Sequence, residues 1–255
     1  MSLEQFSLAN RHVLVTGAGR GIGQAMALAA VKAGARVSAV SRTESQLEQT
    51  RQLAGLDGQR LHTYTWDVAQ TGKANELIDL AEGNGPVDSV IHAAGVQLRK
   101  QAIDLDPEEW RWVQKVNAEA PLFLSTEIAR REISRGSAVG SHVFLCSLAS
   151  TIGLPNVAPY VMSKSAVLGA VRALSREWSQ QGIRVNGIAP GYVQTQLTSD
   201  LLAKPADRER ILSRIPMNRL GHTDDFAGPV VFLLSEASRY ITGQMLNVDG
   251  GWLAS

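Results

Sequence analysis

The sequence predicts an α/β fold, a doubly wound parallel sheet of about seven strands with helices on both faces. Three observations predict it. Short β-branched runs alternate with longer helical patterns along most of the 255 residues. A glycine-rich turn joins the first strand directly to a helix. No low-complexity tract, fixed-period repeat or Pro/Gly/Ser linker divides the chain. With 44% apolar residues the chain fills one full core, so residues 1–255 read as one domain.

The elements follow in order. His12 to Val15 is the first strand, and a helix runs from about Gly21 to Ala33, ended by Gly34. Arg36 to Val40 is the second strand and Glu44 to Ala54 the next helix. Strands near His62 to Trp66 and Val87 to His92 enclose another helix, and this βαβα alternation implies a parallel sheet covered on both faces. Long helices lie near Pro107 to Arg135, followed by a strand at His142 to Cys146. A helix at about Pro159 to Gln180 and a strand at Arg184 to Ile188 come next, then a helix at Asp224 to Ser235 and a last strand at Met245 to Val248. In such a sheet the ligand lies beyond the carboxyl ends of the strands, where the strand order reverses. The segments after each strand are therefore the ones that carry chemistry.

Composition narrows the ligand. Twenty-five Lys and Arg against 24 Asp and Glu leave a formal charge of +1, and no basic run exceeds two residues. Nucleic acid and membrane surfaces both need a concentrated basic face, so neither is an expected partner; a small molecule is. Cys146 is the only cysteine, which excludes an internal disulfide and a zinc site built on several thiolates. The histidines at 12, 62, 142 and 222 show no paired metal spacing, so no catalytic metal is expected. The longest apolar stretch, Ala25 to Val31, is far short of the ~18 residues that span a bilayer. No signal peptide is evident, and the chain reads as cytoplasmic.

After the first strand stands Thr16-Gly17-Ala18-Gly19-Arg20-Gly21-Ile22-Gly23. Glycines there permit positive φ and close backbone approach to a diphosphate, whose charge meets free N–H groups at the helix start. Position 22 is Ile, so the spacing is G-x-x-x-G-x-G rather than G-x-G-x-x-G, with Gly17, Gly21 and Gly23 in the three roles. A tight strand-to-helix connection is the plain alternative. The placement after the first strand favours a Rossmann-type dinucleotide site. A carboxylate at the end of the second strand would hold ribose hydroxyls and repel a phosphate, but Ser41 and Arg42 stand there instead. With Arg20 they form a candidate pocket for the NADP phosphate, the alternative being two solvated arginines. NADP(H) is the expected cofactor, with NAD(H) as the other.

Thirteen residues after Ser147, at the close of a strand, comes Tyr160, followed by Lys164. The i, i+4 spacing puts Tyr160 and Lys164 on one helix face, where an ammonium beside a phenol favours phenolate and suits proton transfer to or from an alcohol oxygen. A surface tyrosine beside a lysine would give the same spacing, and it is the combination with Ser147 and the glycine turn that points to a site.

On these motifs the chain resembles the short-chain dehydrogenase/reductase family over nearly its whole length. The matching pieces are Thr16 to Gly23, Asp67-Val68, Ala93 to Gly95, Asn117, Ser147, Tyr160 to Lys164, Pro190-Gly191 and Gly243 to Trp252. The resemblance implies a catalytic tetrad: Ser147 holds the carbonyl oxygen, Tyr160 exchanges the proton, Lys164 binds the nicotinamide ribose and depresses the tyrosine pKa, and Asn117 holds a relay water. It also implies that Asp67 and Val68 contact adenine, that Ile22, Ala93, Ala94 and Gly95 line the cofactor, and that Pro190, Gly191, Val193 and Thr195 border its carboxamide end. Where the family usually has Asn-Asn-Ala-Gly, this chain has His92-Ala93-Ala94-Gly95, and His92 reads as a satisfied near-core residue rather than a catalytic group.

A narrower resemblance is to bacterial sugar and sugar-acid dehydrogenases of the 2-deoxygluconate 3-dehydrogenase and gluconate 5-dehydrogenase type. It rests on Ile188 to Tyr192, Ile211 to Pro216, Gly228 to Leu233 and Val248 to Leu253. The implied substrate is a secondary alcohol or ketone of a sugar, polyol or sugar acid. A lid segment at about 191–215 would face Gln97, Arg99, Ala149 and Val157, with Tyr192 in the pocket. Arg99 is a candidate carboxylate clamp or a solvated arginine. A 3-oxoacyl-carrier-protein reductase and a noncatalytic dinucleotide-sensing module are the other readings. The family also implies a homotetramer, with Val167, Ala170, Val171 and Leu174 as apolar positions that could equally face the chain's own sheet, and with the Gly250 to Leu253 end as a candidate contact with a neighbour.

Overall fold

Parallel strands covered by helices on both faces must be apolar on both sides, and the central strands are. The computed structural model describes residues 3–136 and 139–254. Strands β1 (His12–Thr16) and β4 (Ser89–His92) are buried throughout, whereas β3 (Leu61–Thr65) and β7 (Met245–Val248) at the two edges are only partly covered. Between them lie β2 (Arg36–Ser41), β5 (Ser141–Leu145) and β6 (Arg184–Pro190). All seven are parallel in the order β3-β2-β1-β4-β5-β6-β7.

The helices are α1 (Gly21–Lys32), α2 (Glu44–Leu53), α3 (Ala74–Glu82), α4 (Pro107–Gln114), α5 (Ala120–Arg135), α6 (Ala158–Trp178), α7 (Ser199–Leu202), α8 (Pro205–Leu212) and α9 (Ala227–Leu234). Successive strand residues point to opposite faces. Accordingly Val13 and Val15 pack with α1 and α9, through Met26, Ala30, Val230 and Leu233. Leu14 instead packs with α3 and α5, through Leu77, Ile78, Leu124 and Ile128. The long α6 buries Val167, Val171, Leu174 and Trp178 against β5 and β6. The predicted doubly wound sheet is therefore the observed one, and its strand order reverses between β1 and β4, beyond Thr16 and His92.

Two expectations change. Val167, Val171 and Leu174, offered as intersubunit positions, face the chain's own core, because they lie on the stripe of α6 that covers the sheet. Trp252 is likewise buried within the chain, against Leu148, Ile211, Ile215 and Leu220. Apolar side chains left exposed on α4, α5 and α6 include Trp110, Trp112, Phe123, Ile133 and Met162. The stretch 107–135 is two α-helices joined by a π-helical turn at Lys115–Glu119, and Asn117 occupies that turn. No helix among the described residues is long and apolar enough to cross a membrane.

Candidate active site

The crevice beyond β1 and β4 is built by close backbone approach. Gly17 has φ +70°, and a Cβ on it would lie 2.6–2.8 Å from backbone atoms of Ala93 and Ala94, so the glycine turn and the loop after β4 touch with no room for a side chain. Gly21 has φ +61°, and there a Cβ would meet only Thr195, at 3.9 Å. Arg20, which precedes α1, gives no side-chain cap, so the first N–H groups of the helix have no side-chain acceptor. A carpet of backbone donors at a helix start, reached without side-chain obstruction, fits a diphosphate. Pro190 ends β6, and Gly191 and Val193 follow it at the same end of the sheet. Gly191 donates to the Val248 carbonyl, and the buried Val193 pairs with Gly221.

At the end of β2, Ser41 accepts a hydrogen bond from the Thr43 N–H, and Arg42 is exposed with no hydrogen bond or ion pair among the described residues. No acid stands at that strand end. Asp67 accepts from the Ala69 N–H and thereby shapes the turn after β3, with Val68 against the wall near Ala94. Arg20 donates to the Gln196 side chain, tying the glycine turn to the segment after β6.

The four tetrad positions converge from three elements. Asn117 is fixed by a two-way clamp: its Oδ1 accepts from the Val96 N–H at 2.8 Å while its Nδ2 donates to the Val96 carbonyl at 2.8 Å. Nδ2 also donates to Ser163 on α6 at 3.0 Å. The π turn that presents it is a frequent device at functional sites. Ser147 closes the strand end and caps a short 3-10 turn, accepting from the Ala149 N–H at 3.1 Å. Its side chain is near enough to the Tyr160 phenol to oppose the effect of burial on it. Lys164, 4% exposed, donates to the Leu145 carbonyl at 2.6 Å and lies 5.7 Å from the centre of the Tyr160 ring. Gly95 faces both Asn117 and Lys164, at 3.5 and 3.9 Å from a Cβ built there.

Electrostatics depart from the expected pattern. Burial raises the Tyr160 phenol above its ordinary value, and Ser147 beside it only opposes this. Lys164 spends its charge on the Leu145 carbonyl, and burial pulls its own pKa down to about 8. The lysine, not the tyrosine, is the group brought near neutrality. Cys146 beside them is pushed up to about 11 and stays a thiol.

The substrate side is partly as expected. Gln97 and Arg99 lie on the loop after β4, with Arg99 exposed and without a hydrogen-bond or ion-pair partner among the described residues. Ala149 and Val157 are buried, 1% exposed each, so they back the site rather than open onto it. The Tyr192 ring packs 4.8 Å from Trp252, which Arg214 covers at 4.3 Å. Three residues were missed. Ser150 bonds the Lys164 carbonyl and the Ser147 N–H, and its position three residues after a capping serine was the available signal. Gln196 and Arg208 carry no sequence pattern. Arg208, with no side-chain partner among the described residues, lines a cavity of about 440 Å³ that Thr195, Gln196 and Leu202 also border. No three His, Cys, Asp or Glu side chains among the described residues gather as a metal cluster.

The chain is similar to known proteins over nearly its whole length. A family model described as enoyl-(acyl carrier protein) reductase matches residues 17–253. The 2-dehydro-3-deoxy-D-gluconate 5-dehydrogenase of Bacillus subtilis (strain 168) is 38% identical over 98% of each chain. The gluconate 5-dehydrogenase of Gluconobacter oxydans (strain 621H) is 33% identical over 96% of each. Among solved structures, a gluconate 5-dehydrogenase from Burkholderia cenocepacia J2315 in complex with NADP and tartrate matches with a TM-score of 0.94 and 32% identity, covering all of both chains.

Proposed function

The chain belongs to the short-chain dehydrogenase/reductase family, and from that premise we propose that it interconverts a secondary alcohol and a ketone of a sugar acid, preferring NADP(H). The observation that carries the reading is the convergence of Ser147, Tyr160 and Lys164 at the carboxyl end of the sheet, with Lys164 buried and 5.7 Å from the centre of the Tyr160 ring. Gly17, Gly21, Ile22 and Gly23 hold the diphosphate and Arg42 the 2′-phosphate, with Ser41 and Arg20 beside it. Asp67, Val68, Ala93, Ala94 and Gly95 border the adenosine, while Pro190, Gly191, Val193 and Thr195 border the carboxamide end. When bound, the nicotinamide supplies or takes up the hydride at the substrate carbon.

The residues of the chain move the proton. Ser147 holds the substrate oxygen by its hydroxyl, and the Tyr160 phenol gives that oxygen its proton in reduction and takes it back in oxidation. Lys164, poised near pH 8, is the group that reprotonates the phenol, and Asn117 fixes the Val96 backbone beside it. Residues 191–215 act as the lid of a single catalytic domain. Arg99 and Arg208, both without ion-pair partners among the described residues, are the carboxylate-binding groups, with Gln97 and Tyr192 meeting hydroxyls. The enzyme works as a cytoplasmic homotetramer, whose contacts include the exposed Trp112, Phe123 and Met162.

The test is a panel of sugars, polyols, sugar acids and acyl thioesters assayed with both cofactors. Turnover of sugar acids with NADP(H) is expected. Turnover of acyl thioesters alone would replace the substrate reading, and no turnover of any class would favour a sensing module.

A further inference from the structure

Directly under the loop that meets Gly17 runs a buried line of four hydrogen-bonding side chains. His92 ends β4, and its Nε2 is 2.7 Å from Ser125 Oγ on α5. The same Ser125 Oγ is 3.0 Å from His142 Nδ1 on β5, and His142 Nε2 is 2.9 Å from Glu132 Oε2, two turns along α5 from Ser125. All four residues are 4% exposed or less. Strand geometry explains the alignment: His92 pairs in register with Phe144, and His142, two residues earlier on β5, points to the same face. His92 Nδ1 is buried with no hydrogen-bond partner among the described residues. His92 borders a void of about 10 Å³, shared with Thr16, Val68 and Ala94, a size that admits about one water.

A hydroxyl donates once, and a neutral imidazole has one donor and one acceptor nitrogen, so the line has a direction. When Glu132 is ionised, His142 Nε2–H donates to it. His142 Nδ1 then accepts from the Ser125 hydroxyl, and Ser125 accepts from His92 Nε2–H, which leaves a bare lone pair on His92 Nδ1. When Glu132 is protonated, every bond reverses: Glu132 donates to His142 Nε2, His142 Nδ1–H donates to Ser125, and Ser125 donates to His92 Nε2. His92 then carries its proton on Nδ1. The two states differ by one proton, and His92 is neutral in both. Burial keeps His92 neutral and raises Glu132, the His142 hydrogen bond and charge oppose the rise at Glu132, Asp88 adds to it and Arg135 opposes it. Arg11 lies 3.8 Å from Asp88 on the far side, and Phe144 and Trp178 supply only ring contacts to the two histidines.

We propose that His92 is a positioning residue for the dinucleotide site, and that Ser125, His142 and Glu132 decide which of its ring nitrogens carries the proton. It acts through Ala93 and Ala94, which follow it directly and lie against Gly17. The inference rests on the dinucleotide reading above.

Nitrogen NMR of histidine-labelled full-length protein, with NADP titrated into the wild type, Ser125→Ala and Ser125→Thr, tests it. As pH falls, His92 is expected to pass from the Nε2–H to the Nδ1–H tautomer at the one midpoint at which the His142–Glu132 pair takes up its proton, without itself becoming an imidazolium. Ser125→Ala should uncouple the rings and raise the NADP Kd about three- to tenfold with kcat at saturation unchanged, and Ser125→Thr should restore both. Independent titration of the two rings in the wild type would overturn the proposal without any variant having to fold. So would an unchanged Kd and unchanged tautomers in Ser125→Ala. A wild type that shows the concerted switch but binds no NADP would instead overturn the dinucleotide reading and, with it, the positioning role.

Discussion

Replacing Lys164 by Met should make the protein more stable while destroying its activity. The ammonium is 4% exposed, and burial lowers its pKa from 10.5 to about 8. Each pKa unit corresponds to about 1.4 kcal/mol, so the buried charge costs about 3 kcal/mol at most. Methionine removes that cost but leaves the Leu145 carbonyl without its 2.6 Å donor, which returns about 1–2 kcal/mol, so a net gain of about 1–2 kcal/mol is expected at pH 7. Below pH 8 the lysine is charged both folded and unfolded, and the full penalty is present. Between about 8 and 10.5 the unfolded chain keeps a proton that the folded chain has released, so wild-type stability rises with pH and the gap closes. Urea unfolding of both proteins at equal concentration, from pH 7 to 10.5, measures this. A Met variant no more stable at pH 7, or a gap that does not narrow, would refute the account of Lys164.

Other outcomes follow from the same geometry. Arg42→Ala should lower kcat/KM for NADPH by about 10- to 100-fold and leave NADH nearly unchanged, read from initial rates with both cofactors. Gly17→Ala should cost about 2–5 kcal/mol in a melting experiment and abolish NADP binding, because it forces a side chain into φ +70° and into contact with the Ala93 and Ala94 backbone. Light scattering should give four times the chain mass, and Phe123→Asp should reduce it; a wild-type monomer would sink the assembly reading.

Much of this was legible in the sequence because its signals are local. The alternating strands and helices follow from periodicity, and the glycine turn is readable because only glycine tolerates φ +70° against a neighbouring backbone. Ser147, Tyr160 and Lys164 were visible because a strand end and an i, i+4 pair fix their placement. What could not be read depends on contacts between distant segments. The Arg20–Gln196 bond spans 176 residues, and Arg208, without a side-chain partner among the described residues, shows only once helices α7 and α8 are placed. Burial also changes what an apolar stripe means: Val167 and Leu174 have the same spacing whether they meet a partner or, as here, the chain's own sheet. The same holds for His92, which is near-core as expected yet bonded through only one of its two ring nitrogens.

The central claim is that the Tyr160 phenol is the proton donor and acceptor, and Tyr160→Phe tests it most directly, since the change removes one hydroxyl and leaves Ser147 and Lys164 in place. Turnover of a sugar acid should fall by about 10² to 10⁴, while the Kd for NADP(H), measured by titration, stays within about twofold of the wild type. A Phe variant that kept more than a few per cent of wild-type turnover would contradict the account.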